Sequence, residues 1–162
     1  MSEEHIVYIA IGSNLQHPKQ QAIRAIEALH SIEKSQFICA SSLYGSTPMG
    51  PSDQPDYINA VAKISTQLNP IELLNATQGI ELAQGRVRKA ERWGPRSLDL
   101  DILLYGDKII NNARLTIPHY GMKEREFVIY PLLQIAPDLK MPDGTSIQEL
   151  ANGLALNGLV RL

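Results

Sequence analysis

Apolar and polar positions along the chain fall into a small number of regular patterns. His5-Ile-Val-Tyr-Ile-Ala-Ile11 is nearly continuous in apolar and β-branched residues, which predicts a strand buried on both faces. Gly12-Ser13-Asn14 ends it. Pro18 suits a first helical turn, and Ala22, Ile23, Ile26 and Leu29 then form an apolar stripe at helical spacing. Residues 36–44 read as a second strand, and 57–66 alternate as a third. Between them, Gly45, Pro48, Gly50, Pro51 and Pro55 mark a long turn-rich loop, of a length that in compact domains is usually functional or disordered. Asn69-Pro70-Ile71-Glu72 offers an N-cap, a proline at the first helical position and a capping-box glutamate. That helix runs toward Ala83 and stops at Gly85; a fourth strand covers 98–105.

The order β-α-β-β-α-β is the ferredoxin-like motif, with both helices on one face of an antiparallel sheet. The expected class is therefore α+β, with a ferredoxin-like βαββαβ core. The C-terminal third adds strand or turn near 108–111, short helices around 122–135 and 147–151, and an extra strand. These pieces are expected to extend the sheet or cover its second face. At 162 residues the chain has the length of one domain, spanning 1–162.

Composition narrows the function classes. Hydrophobic residues at 44% and charged residues at 20% exclude a disordered chain. No apolar run approaches the ~18 residues of a membrane span. The start, Met1-Ser-Glu-Glu, lacks a signal-peptide pattern, so a stand-alone cytoplasmic protein is expected. Cys39 is the single cysteine, which excludes an internal disulfide framework and a Cys-rich zinc site. Lys and Arg number 15 against 17 Asp and Glu, a net charge of −2 that argues against a broadly basic nucleic-acid or membrane-surface binder. That average conceals a split. Arg86, Arg88, Lys89, Arg92 and Arg96 against Glu91 give residues 86–96 a net +4, leaving −6 for the rest. Five cations gathered in an otherwise acidic chain point to an anion site, although a solvated charged face or a single-strand nucleic-acid strip has the same composition.

Directly after this segment comes Leu98-Asp99-Leu100-Asp101-Ile102. A period of two puts the leucines and isoleucine on one face and both aspartates on the other. Paired carboxylates suit Mg²⁺, which takes one or two of them plus waters and substrate phosphates. A solvated polar face is the alternative, and the adjacent cations favour metal and phosphate. In the third strand, Ile58, Ala60, Ala62 and Ile64 share one face, and Tyr57, Asn59 and Val61 the other. If the two strands share a sheet, Tyr57 and Asn59 lie on the carboxylate face. An aromatic and an amide there can stack on and hydrogen-bond a flat heterocycle; a half-exposed Tyr and a turn-anchoring Asn are the plainer reading. Arg114-Leu-Thr-Ile-Pro-His-Tyr120 gathers four further side chains able to donate to phosphate. Neither a Walker A sequence nor Gly-x-Gly-x-x-Gly occurs, so ATP binding here would use neither a P-loop nor a Rossmann turn.

The run Arg92-Trp-Gly-Pro-Arg-Ser-Leu-Asp-Leu-Asp-Ile-Leu103 resembles the signature of the 6-hydroxymethyl-7,8-dihydropterin pyrophosphokinase family. Ile9-Ala-Ile-Gly-Ser-Asn-Leu15, Gly50-Pro-Ser-Asp-Gln-Pro-Asp-Tyr-Ile-Asn59, Gln78-Gly-Ile-Glu81 and Thr116-Ile-Pro-His-Tyr120 resemble it too, in the expected order. The resemblance implies transfer of pyrophosphate from ATP to the pterin hydroxymethyl group, with release of AMP, in folate biosynthesis. It implies that Asp99 and Asp101 bind two Mg²⁺, and that Arg86 and Arg96 act on the phosphates beside them. Tyr57 and Phe127 would sandwich the pterin, Asn59 would bond its polar edge, and Ser46, Thr47 and Met49 would contact it through backbone groups. Arg88 and Trp93 would close over ATP, and Gln78, Glu81, Arg96, Ile102, Arg114, Thr116, His119 and Tyr120 would line its site. The implied partners are these two small molecules, without nucleic acid or membrane, and the implied state is a monomer. Two departures from the family pattern are Ser46-Thr47-Pro48 in place of Thr-Pro-Pro, and Gly121 in place of an acidic residue. A non-catalytic nucleic-acid-binding ferredoxin-like domain and an Asp-x-Asp nucleotidyl or glycosyl transferase are the competing readings; AMP as product separates them from the pyrophosphokinase.

Overall fold

The computed structural model describes residues 3–13, 17–46, 57–84, 98–156 and 158–162. In chain order it contains β1 (His5–Ser13), α1 (Pro18–Leu29), β2 (Ser35–Ala40), β3 (Tyr44–Ser46), β4 (Tyr57–Thr66), α2 (Pro70–Ala83) and β5 (Asp99–Tyr105). There follow β6 (Ile110–Asn111), β7 (Thr116–Ile117), a 3₁₀ turn (Met122–Glu124), α3 (Glu126–Ile135), α4 (Ile147–Asn152) and β8 (Val160–Arg161).

The apolar run at the start becomes β1, which lies antiparallel between β4 and β5. On its far side β4 pairs with β2 and β3, and β8 adds to β3, so the sheet reads β5-β1-β4-β3-β8 with β2 beside β4. Val7, Ile9 and Ile11 of β1, Ile58, Ala60, Ala62 and Ile64 of β4, and Leu98, Leu100 and Ile102 at β5 form one apolar face under α1 and α2. Each fully buried Val, Leu or Ile side chain among these contributes about 1.5–3 kcal/mol. The capping box predicted for α2 is formed: Asn69 Oδ1 accepts from Glu72 N at 2.8 Å, and Glu72 Oε1 accepts from Asn69 N at 2.9 Å. In α1 the buried residues are Ala22, Ala25 and Leu29, whereas Ile23 is exposed. One residue on from Ala22, Ile23 is turned about 100° away from the core stripe.

The second predicted strand is two strands. Its register on β4 shifts between Phe37 and Cys39, and the ladder is interrupted between Ala40 and Tyr44. Ser41 explains the interruption: its N–H donates to Val61 O at 2.8 Å, but Val61 N–H donates to the Ser41 side-chain Oγ at 3.0 Å instead of a backbone carbonyl. The C-terminal third does both things expected of it. β8 extends the sheet, while α3 and α4 cover part of the second face, where Met122, Val128, Ile129, Leu132 and Ile147 pack on Tyr8, Val61, Leu103 and Leu104.

A bulge in β5 was not predicted by the alternation. Tyr8 pairs with Leu104 and Ile9 with Ile102, leaving Leu103 as the extra residue. It reverses the in–out order of the strand, so that Leu103 and Leu104 both pack under the C-terminal helices and Tyr105 joins the opposite core.

Candidate active site

The second face has a polar end. Register sets Tyr44, Asn59, Gly12 and Asp99 in one row across β3, β4, β1 and β5, and Val61, Ala10 and Asp101 in the next. Residues directly opposite share a face, with Cα atoms about 4.5–5.5 Å apart, so Asn59 and Asp99 stand roughly 10 Å apart across Gly12. Gly12 and Ala10 form a low floor between amide and carboxylates. A Cβ added to Gly12 would lie 3.4 Å from Asn59 Oδ1, so the glycine keeps that floor clear. Asp99 and Asp101 are both half-buried, and Tyr57 is 42% exposed at the adjoining strand end. The parity that puts both aspartates beside Asn59 and Tyr57 is the one the alternation predicts.

His119 reaches this patch through the bulge. The carbonyl of Leu103 accepts from His119 N at 3.0 Å, which holds the imidazole beside β5 with Nε2 3.9 Å from Asp101 Oδ2. Gly121 N–H donates to His119 Nδ1 at 3.2 Å, so the neutral ring carries its proton on Nε2, toward Asp101. Burial pushes the imidazole below its ordinary pKa; Asp101 pulls it up and Arg125 pushes it down. Tyr120 stacks on His119 with ring centroids 4.8 Å apart and is 81% exposed.

Glu81 is buried on α2, and its Oε2 accepts from Leu100 N at 2.7 Å. Leu100 lies between the two aspartates, so this carboxylate fixes the backbone that presents them. With its N–H committed to Glu81, Leu100 has its peptide groups on the side of β5 away from β1, and those of Ile102, two residues on, face the same way. The Ile102 side chain itself is in the helix-side core. Arg114 extends along α2, donating to Asn75 Oδ1 at 2.7 Å and Gln78 Oε1 at 3.4 Å. Thr116, on β7, pairs with Asn111. Glu81, Gln78, Arg114, Thr116, His119 and Tyr120 thus lie on α2 or on the segment running past β7.

Phe127 sits in the first turn of α3, with the Arg125 guanidinium 5.8 Å from its ring centroid and 5.8 Å from that of Tyr120. Gly121 leaves room for the guanidinium, because a Cβ there would lie 3.0 Å from Arg125 Nε. Arg125, Gly12 and Ala10 are the site residues sequence reasoning missed. Arg125 is a single cation far from the basic run, and Gly12 gains meaning only once the strand register is known. Thr47, Met49, Arg86, Arg88, Trp93 and Arg96 lie outside the described residues, as does the side chain of Ser46. Ser46 and Tyr57 are cross-strand neighbours at the end of the sheet next to the patch.

Among the described residues no group of three or more His, Cys, Asp and Glu forms a ready metal cage. Two half-exposed carboxylates on one face fit Mg²⁺, which keeps waters and phosphate oxygens as its other ligands. No helix among the described residues is long and apolar enough to cross a membrane.

The sequence model of the 7,8-dihydro-6-hydroxymethylpterin-pyrophosphokinase (HPPK) family matches residues 8–137. The chain belongs to this family. The HPPK match runs from Tyr8 in β1 to Pro137 just beyond α3, so it contains every element of the patch. A Haemophilus influenzae 2-amino-4-hydroxy-6-hydroxymethyldihydropteridine pyrophosphokinase is 54% identical over 155 residues, covering 96% of each chain. The Pseudomonas aeruginosa protein of the same name is 49% identical over 156 residues, again with 96% of each covered. In fold, the chain is similar to a solved Plasmodium falciparum HPPK-DHPS with pteroate, at a TM-score of 0.73 and 14% identity. That match covers 94% of this chain and 43% of the longer Plasmodium chain.

Proposed function

We propose that this HPPK transfers the pyrophosphoryl group of ATP to the hydroxymethyl oxygen of 6-hydroxymethyl-7,8-dihydropterin, releasing AMP, in folate biosynthesis. The observation that carries the reading is the row Asn59–Gly12–Asp99 with Asp101 beside it: an amide edge and two carboxylates on one polar patch, separated by a floor without side-chain bulk. Residues 1–162 act as one domain with a ferredoxin-like core, supported by the strand order and by the two helices on one face.

The acceptor ring lies between Tyr57 and Phe127, with Asn59 on its polar edge and the backbone of Ser46, Thr47 and Met49 along its rim. Asp99 and Asp101 would hold two Mg²⁺, which would supply neutralisation of the phosphate charge. Arg86 and Arg96 take phosphate oxygens in bidentate fashion, and Arg88 and Trp93 shield the site from water. Neutral His119 offers its Nε2 proton to a phosphate oxygen, with Tyr120, Thr116, Arg114 and Gln78 further along the nucleotide. Glu81 keeps the Asp99–Asp101 backbone in place, and the Ile102 main chain faces the base. The acceptor oxygen attacks the β-phosphorus, the bond from that atom to the α,β-bridging oxygen breaks, and AMP leaves with that oxygen. The hydroxyl proton goes to Asp101 in this reading. The protein thus supplies positioning and charge neutralisation, which is most of what phosphoryl-type transfer needs.

Incubation with ATP, Mg²⁺ and the pterin, followed by nucleotide chromatography, tests the reading. AMP and a pyrophosphorylated pterin are expected; ADP as the product, or turnover that ignores the pterin, would overturn it.

A further inference from the structure

The acceptor slot of that reading has walls on two elements: Tyr57 and Asn59 on β4, and Phe127 in the first turn of α3. Stacking on both sides of a ring requires the distance between such walls to be held closely, yet helix and strand are separate pieces of chain. Besides the direct packing of α3 on β4, Gln134 ties the helix to Ser42 and Tyr44, the segment that pairs with that strand. It lies seven residues beyond Phe127, two turns along and on the same face of α3, about 10 Å away along the axis. Its Oε1 accepts from the Tyr44 hydroxyl at 2.8 Å and from Ser42 N at 3.1 Å, and its Nε2 donates to Ser42 Oγ at 3.2 Å. Tyr44 is buried and stands directly opposite Asn59 in the sheet.

The same junction is gripped from the other side. Arg161 Nε donates to Ser42 Oγ at 3.0 Å, Leu162 N donates to Leu43 O at 2.9 Å, and β8 pairs with Tyr44 and Gly45. The whole assembly surrounds the break between β2 and β3, where the sheet ladder on β4 is weakest. Gln134 is itself exposed, and hydrogen bonds at an exposed site exchange against water with little net gain in stability. Three bonds converging on one such side chain therefore serve geometry more than stability.

We propose that Gln134 is a positioning residue for acceptor binding. Through Tyr44 and Ser42 it sets α3, and with it Phe127, against the strand that carries Asn59, and Arg161 braces Ser42 from the C-terminal strand. This rests on the pyrophosphokinase reading and adds to it a device outside the substrate contacts.

The test compares the unaltered protein with Gln134→Leu, Tyr44→Phe and Gln134→Glu. Measured are KM for the pterin, kcat, the Kd of ATP alone and Tm. Gln134→Leu is expected to raise the pterin KM about tenfold, while kcat and the ATP Kd stay within about twofold and Tm within a few degrees. Tyr44→Phe removes one of the three bonds and should raise the pterin KM about threefold. Gln134→Glu keeps both acceptor bonds, while Ser42 donates in place of the lost amide, and it should restore the pterin KM to near the unaltered value. A pterin KM unmoved in both Gln134→Leu and Tyr44→Phe overturns the proposal. So does a parallel loss of ATP affinity and Tm, or a Gln134→Glu variant as impaired as Gln134→Leu. Absence of pterin-dependent AMP from the unaltered protein would instead sink the functional reading on which the proposal stands.

Discussion

The two faces of the sheet are built by the same strands and do opposite work. On the face under α1 and α2, β1, β4 and β5 present Val7, Ile9, Ile11, Ile58, Ala60, Leu100 and Ile102, all aliphatic and all buried. On the other face, alternate positions of those strands present Tyr8, Ala10, Gly12, Asn59, Asp99 and Asp101. There α3 and α4 pack on Tyr8, Ala10, Val61, Leu103 and Leu104, while Asp99 and Asp101 stay half-buried. The buried aliphatic positions and the polar patch are thus separated by one residue of spacing, and on the proposed reading the effect of a substitution should depend on parity.

The largest contrast is between neighbours. Asp101→Asn should lower kcat by about 10²-fold or more while Tm barely moves. Leu100→Ala should do the reverse, costing about 2–5 kcal/mol and lowering Tm by roughly 5–15 °C, with the remaining folded protein still active. Equal losses of both properties in both variants would erase the division. Glu81 is the residue that joins the two faces, because its buried carboxylate accepts from the peptide between the aspartates. Glu81→Ala leaves that N–H unsatisfied, so about 1–3 kcal/mol of stability and a large share of turnover should go together. Denaturant melts and steady-state rates on the same preparation check this.

Smaller effects sharpen the picture. Gly12→Ala places a methyl 3.4 Å from Asn59 Oδ1 on the chemical face. It should raise the pterin KM a few-fold while leaving the ATP Kd and Tm close to their original values. The smallest effect lies at an exposed pair, Asp143 with Lys123. The Lys123 ammonium at 2.8 Å and the Thr145 N–H hold its carboxyl well below the usual carboxylate range. Because the folded value is depressed, the associated stability is present above the unfolded pKa of about 3.9 and is lost as pH falls through the folded value. The pair is exposed, so the contribution is slight. An NMR titration should show Asp143 ionising below the normal range, and Lys123→Met should move it back up, with kcat unchanged.

Much of this was legible in the sequence wherever the information was local. The alternation in 98–102 assigned both aspartates to one face, and Asn69 and Glu72 announced the start of α2, because strand parity and capping depend on residues a few positions apart. The resemblance supplied the candidate roles of Phe127 and of the residues in 85–97. What escaped depends on partners far along the chain. The break at Ser41 exists because its side chain meets Val61, and Gly12 becomes a floor only when register sets it between Asn59 and Asp99. Gln134 looks like any polar position on an amphipathic helix until Tyr44 and Ser42 are seen to converge on it.

The bulge at Leu103 separates the aspartate half of β5 from the half that ends in Tyr105. It acts as a phase marker: two stretches of opposite parity meet at one unpaired residue. Removing that residue would change no chemical group in the site. It would force either the carboxylates under α2 or Tyr105 out of the core, and it would withdraw the carbonyl that holds His119. This strand should therefore accept changes of side chain at many positions, but a change in its length at almost none.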